Sequence, residues 1–179
     1  MQADPSVVDR LAKHFHEIKD GIGVHKPPQV YGAFPTDPYS HTPAHKGAQQ
    51  PGMTGQVKED VLTRMGELGV KMKEGQLQFM PSLLNNSEFL TTAATASFVL
   101  LDGSISTVEL EKDSLAFTVC QVPVVYKKSG EAFIEVKFTI GSQQKISGAV
   151  LSKEITDKIM HRTGEVALLN VYVNANHLT

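Results

Sequence analysis

"FIEVKFTI", Phe133 to Ile140, alternates apolar residues with others at a period of two. In an extended chain this places Ile134, Val136, Phe138 and Ile140 on one face and the neighbouring Phe133 set on the other. The same signature recurs on both sides. Upstream, "TASFVLLDGSISTVEL" (Thr95–Leu110) reads as a strand, an Asp102-Gly103 turn and a second strand. "SLAFTVCQVPVVY" (Ser114–Tyr126) follows; Pro123 has no N–H for a ladder and predicts an edge or a bulge. Cys120, within this apolar pattern, is expected to pack in the core. Downstream, Ser152 caps a short helix through His161, with Ile155 and Ile159 on one face and Gly164 as its stop. "EVALLNVYV" (Glu165–Val173) supplies a final strand, and "VKMKEGQLQF" (Val70–Phe79) a hairpin around Glu74-Gly75. Short strands at this spacing, separated by turn signals, predict an antiparallel β-sandwich with one short helix over 70–179.

The first 69 residues have a different character. Asp4 to Gly21 predicts a helix, with Pro5 at its first position and Val7, Val8, Leu11, Phe15 and Ile18 along one stripe. Thr54 to Leu68 predicts a second helix, with Thr54 as cap and Gly69 as stop. Its apolar face is Val57, Val61, Leu62, Met65 and Leu68, and Lys58, Glu59, Asp60, Arg64 and Glu67 are expected to face away. Each stripe needs a partner, since an isolated amphipathic helix is marginal in water. Between them, Ile22 to Thr54 is rich in proline and glycine, which excludes helix interiors and central strands. Few charges and several aromatics (Tyr31, Phe34, Tyr39) predict an ordered, functional loop. The expected class is therefore α+β: two N-terminal helices flanking a long ordered loop, then the β-rich domain.

Composition narrows the function classes. The chain has 179 residues, 41% hydrophobic and 20% charged, a globular balance. A net charge of −2 and the lack of a basic run argue against a nucleic-acid partner. No apolar run approaches the roughly 20 residues needed to span a bilayer, so no membrane contact is expected. No signal peptide is visible at the N-terminus, so the chain as written is expected to be soluble and cytoplasmic. A single cysteine excludes an internal disulfide and multi-cysteine zinc motifs.

Candidate site residues lie in the loop. His41 and His45 have the i, i+4 spacing of a helical metal pair, but Pro43 interrupts any such helix and no HExxH glutamate is present. No metal and no cofactor is therefore expected. Gly47, Gly52 and Gly55 flank a helix start whose free N–H groups suit an anion or a sugar hydroxyl. Tyr39 offers a flat face to a pyranose ring, alongside Tyr31 and Phe34. Asp37, His41, His45, Gln49, Gln50 and Thr54 offer polar contacts to its hydroxyls. The opposing reading is that these groups only pin the loop to its scaffold. Nothing supplies the paired carboxylates of a glycosidase or a GxSxG nucleophile, and no catalytic residue is assigned.

The block "PTDPYSHTPAHKGAQQPGMTGQVKEDVLTRMGELGV" (Pro35–Val70) resembles a segment near the C-terminal end of large bacterial carbohydrate-active proteins of the six-hairpin, (α/α)6-toroid glycosidase and phosphorylase type. "SLAFTVCQVPVVY" and "RTGEVALLNVYV" are similar to the closing sandwich of such proteins. The resemblance implies a C-terminal fragment or module of a carbohydrate-processing enzyme, inactive alone, in which 1–69 ends a larger helical toroid and loop 31–56 lines or supports a glycan site. Its implied partners are a carbohydrate and an upstream helical domain or partner chain. The alternatives are a non-enzymatic β-sandwich binding or structural module and a small histidine-dependent metalloprotein.

Overall fold

The computed structural model describes residues 5–21, 54–175 and 178. The chain divides into two compact units, Met1–Arg64 and Met65–Thr179. Helix α1 is Pro5–Gly21 and helix α2 is Thr54–Glu67, within a residue or so of the expected limits. Their buried faces differ from expectation. In α1, Leu11 is 63% exposed and Val7 is also exposed, while Ala12 is buried. The ring nitrogen Nε2 of His16 is buried and has no hydrogen-bond partner among the described residues. In α2, Val61, Leu62 and Met65 are exposed. Glu67, expected to face away, is buried with Leu68, because the chain turns inward at the end of the helix. Gly69 makes that turn as expected: its φ is +65° and its N–H donates to the Gly66 carbonyl at 3.0 Å.

The larger unit is a sheet-rich α+β body. Its strands are β1 Val70–Lys73, β2 Gln76–Phe79, β3 Ala94–Val99, β4 Ile105–Leu110, β5 Ser114–Val119, β6 Val122–Ser129, β7 Phe133–Phe138, β8 Gln143–Ser147 and β9 Val166–Asn174. Helix α3, Lys153–Met160, precedes β9. β1–β2 and β3–β4 are two-stranded hairpins, and the other strands form one sheet in the order β5-β6-β9-β7-β8. The expectation of wholly antiparallel pairing is corrected here, because β6 and β9 are parallel. Strands β6 and β7 are consecutive yet unpaired, and β9 lies between them. Residues 130–132 bridge a gap of two strand spacings, about 10 Å, instead of closing a tight hairpin. After β8 the chain forms α3, then inserts β9 antiparallel to β7.

Pro123 is likewise not on an edge strand. It pairs with Thr118 near the start of β6, while the β6–β9 ladder begins only at Val124. The two-residue turn makes Val119↔Val122 the closing pair, so the position of the missing N–H points away from β5, where no ladder has begun. Cys120 lies in that turn, with Gln121, both at positive φ (48° and 66°). It is half-buried against the core, so the packing expected of it holds although its place in a strand does not.

One face of the sheet carries the main core. Leu115, Val119, Val122, Val124, Tyr126, Ile134, Val136, Leu169 and Val171 meet Val70, Leu77 and Phe79 of the first hairpin and Ile155 and Ile159 of α3. The hairpin is tied to the segment before α3 by Phe79 N–H to Ala149 O and Leu151 N–H to Leu77 O, both 2.9 Å. Thr156 Oγ1 accepts from the Leu77 N–H at 3.0 Å. The expected alternation of "FIEVKFTI" holds for Ile134 and Val136, but Ile140 is 88% exposed because the strand ends at Phe138. A bulge beside Phe138 pairs it with Val166, leaving Ala167 as the extra residue and returning Val166 to the core face. In α3 the Ser152 cap is present, its Oγ accepting from Ile155 N–H. The helix stop is Arg162 (φ 53°) rather than Gly164. Its N–H donates to Ile159 O and that of Thr163 to Lys158 O, the paired bonds of a Schellman turn.

Candidate functional site

Strand alternation sends every second residue of the five-stranded sheet to the face away from the core. Pairing then arranges those residues in rows. One row runs Lys127, Tyr172, Phe133, Ser147; the next Val125, Asn170, Glu135, Lys145; the third Leu168, Lys137, Gln143. Strand β4 forms a wall beside this face. Between them is a cleft of about 570 Å³, lined by Ser106, Val108, Val125, Lys127, Lys137, Leu168, Asn170 and Gln143 among others. A smaller, more apolar hollow of about 230 Å³ shares Ser106 and Ala167 with it.

The cleft is furnished with polar groups. Asn170 sits at the middle of the central strand, only 7% exposed as a residue, and lines the cleft. On the rim, Lys127 Nζ pairs with Glu111 Oε2 at 3.3 Å. Tyr172 Oη donates to Glu135 Oε2 at 3.2 Å. Burial, then the charge of Glu135, pushes the Tyr172 phenol above its ordinary pKa. The Tyr172 ring stacks on Phe133 with centroids 3.9 Å apart and planes 14° off parallel, and Lys145 Nζ lies 3.8 Å from the Phe133 ring centre. The face therefore combines a stacked aromatic pair with amide, hydroxyl and charged groups, the mixture that orients small polar ligands.

The residues singled out from the sequence are not those that line this cleft. Asp37, Tyr39, His41, His45, Gln49 and Gln50 lie outside the described residues. Thr54, expected as a cap, is itself the first helical residue of α2. No group of three or more potential metal-ligating side chains occurs among the described residues. The cleft residues belong to five strands, β4, β6, β7, β8 and β9, which meet only in the tertiary structure. One local signal was present: Asn170 interrupts an otherwise apolar strand, between Leu169 and Val171. Neither a protein-family model nor a curated protein matches the chain.

Proposed function

We propose that this chain is a binding module whose cleft between β4 and the sheet takes a hydroxyl-rich ligand of saccharide size. The observation that carries the reading is Asn170, 7% exposed as a residue, at the middle of the central strand and lining the cleft. A side-chain amide lining a cleft offers both donors and an acceptor to a hydroxyl group that enters it. Ser106, Thr107, Ser142 and Gln143 add neutral donors and acceptors along the same walls. The volume lies within the span of small-ligand sites, about 300–1,000 Å³. The cleft bears on the binding alternative drawn from the sequence. The further step, that this binding serves a carbohydrate-processing enzyme, rests on the resemblance alone.

The test is titration calorimetry of the 179-residue chain against neutral and acidic disaccharides, beside Asn170→Val. The variant keeps strand propensity and removes the amide. It is expected to bind roughly tenfold more weakly or not at all, with an unchanged or raised melting temperature. Absence of saccharide binding by the wild type at about 10 mM, a level that would reveal even millimolar affinity, overturns the reading.

A further inference from the structure

The charged residues lining the cleft are Lys127, Lys137, Glu109 and Glu111. Lys127 is paired with Glu111. Lys145 stands directly across from Glu135 in the β7–β8 register and over the Phe133 ring. Glu109, on the rim, accepts from the Thr95 hydroxyl at 3.2 Å on the outward side of its hairpin. Lys137 is left. Its cross-strand neighbours are Leu168 and Gln143, both uncharged, and it has no ion-pair or hydrogen-bond partner among the described residues. It is half-buried and lines the cleft with Asn170.

We infer that the cleft selects a sugar acid, with the ligand's carboxylate held by Lys137 and its hydroxyls by Asn170; this rests on the reading of the cleft as a saccharide site. Asn170 pairs with Glu135, and Lys137 is two residues along the same strand and on the same face. Such diagonal neighbours stand about 7 Å apart at Cβ. A pyranose ring with a carboxylate at one end and hydroxyls at the other bridges that separation. The number of free cations sets the class of anion. One lysine matches the single charge of a carboxylate, whereas a phosphate monoester carries about −1.5 to −2 and calls for a second free cation. An ammonium on a flexible stem, half in solvent, holds a carboxylate as a point charge without requiring bidentate geometry.

The experiment is calorimetric titration of the full chain with galacturonate, with its neutral counterpart galactose and with galactose 6-phosphate. Proteins are the wild type, Lys137→Met, Lys137→Gln and Lys137→Arg, each checked for an unchanged melting curve. The wild type is expected to prefer galacturonate over the neutral sugar by roughly tenfold at low salt, with the ratio falling as salt screens the pair. The preference disappears in Lys137→Met and Lys137→Gln, while neutral-sugar binding persists, and it survives in Lys137→Arg. Equal binding of acid and neutral sugar by the wild type overturns the inference and leaves the saccharide reading standing. So does an acid preference that survives both neutral variants, or galactose 6-phosphate binding more tightly than the uronate. If one neutral variant fails to fold, the other and the wild-type salt dependence still decide. Binding of none of the three ligands overturns both the inference and the reading beneath it.

Discussion

Replacing Gly69 by alanine tests whether the junction between α2 and the first hairpin depends on a bare backbone. The residue is at φ +65°, a conformation that costs a side-chain-bearing residue about 1–2 kcal/mol. A Cβ there would also lie 2.1 Å from the Met80 carbonyl carbon, 2.2 Å from the Pro81 nitrogen and 2.3 Å from the Met80 oxygen. These are backbone atoms, more than an ångström inside ordinary contact, so the chain must move. The movement strains the 2.8 Å bond from Met80 N–H to the Gly69 carbonyl and the Val70↔Phe79 pair beside it. One lost hydrogen bond and a disturbed core edge bring the total to about 4 kcal/mol or more. Gly103 is the control: its φ is +80°, but nothing lies within 4 Å of the same Cβ, so Gly103→Ala costs only the backbone term, about 1–2 kcal/mol. In urea unfolding the two should separate by at least about 2 kcal/mol; in melting, Gly103→Ala should fall by about 5 °C and Gly69→Ala by about 15 °C or fail to fold. Losses within about 1 kcal/mol of each other would refute the close-approach reasoning.

Three further outcomes follow from other contacts. Tyr126 is fully buried, edge-on to Phe79 and Phe117, and its hydroxyl donates to the Leu68 carbonyl. Tyr126→Phe keeps the ring and removes that donor, so urea unfolding should show a loss of about 1–3 kcal/mol; a loss below about 0.5 would reject the bond as a stabilising contact. Arg162 holds the left-handed stop of α3 at φ 53°, so Arg162→Gly should gain about 0.5–1 kcal/mol; a loss would show that the side chain matters more than the backbone. Burial raises the phenol pKa of Tyr126 and Tyr172 above 10.0, with Glu135 adding to the shift at Tyr172. A raised folded value favours the neutral form, so this stability is full below the unfolded value and is lost as pH rises through the folded one. Tyr172→Phe should therefore extend the alkaline limb of the stability curve upward, and an unmoved limb would contradict the assignment.

Much of the local structure was legible in the chain. Period-two patterns located the hairpin at Val70–Phe79, the strand pair around Asp102-Gly103 and the strand at Phe133. Side-chain chemistry marked the Ser152 cap, and backbone chemistry the Gly69 turn. These features depend on residues a few positions apart, so a linear reading contains their causes. Buried faces were less legible. The helical stripes gave the same periodicity whether covered or open, and only the surrounding chain decided that Leu11, Val61 and Leu62 face out while Glu67 goes in. The turn at Arg162 hid for a similar reason, since a nearby glycine attracted the assignment that the hydrogen bonds give to its neighbour.

What the sequence determined by itself is an α+β chain with a β-rich body, because period, turn residues and caps act locally. What the tertiary structure alone decided is the order of the sheet and, with it, the cleft. β9 enters between β6 and β7, parallel to one and antiparallel to the other. That insertion places Asn170 diagonally from Lys137, residues 33 positions apart in the chain (170 − 137). Strand pairing is a long-range choice governed by which apolar faces can be buried together, and no spacing within a single strand encodes it.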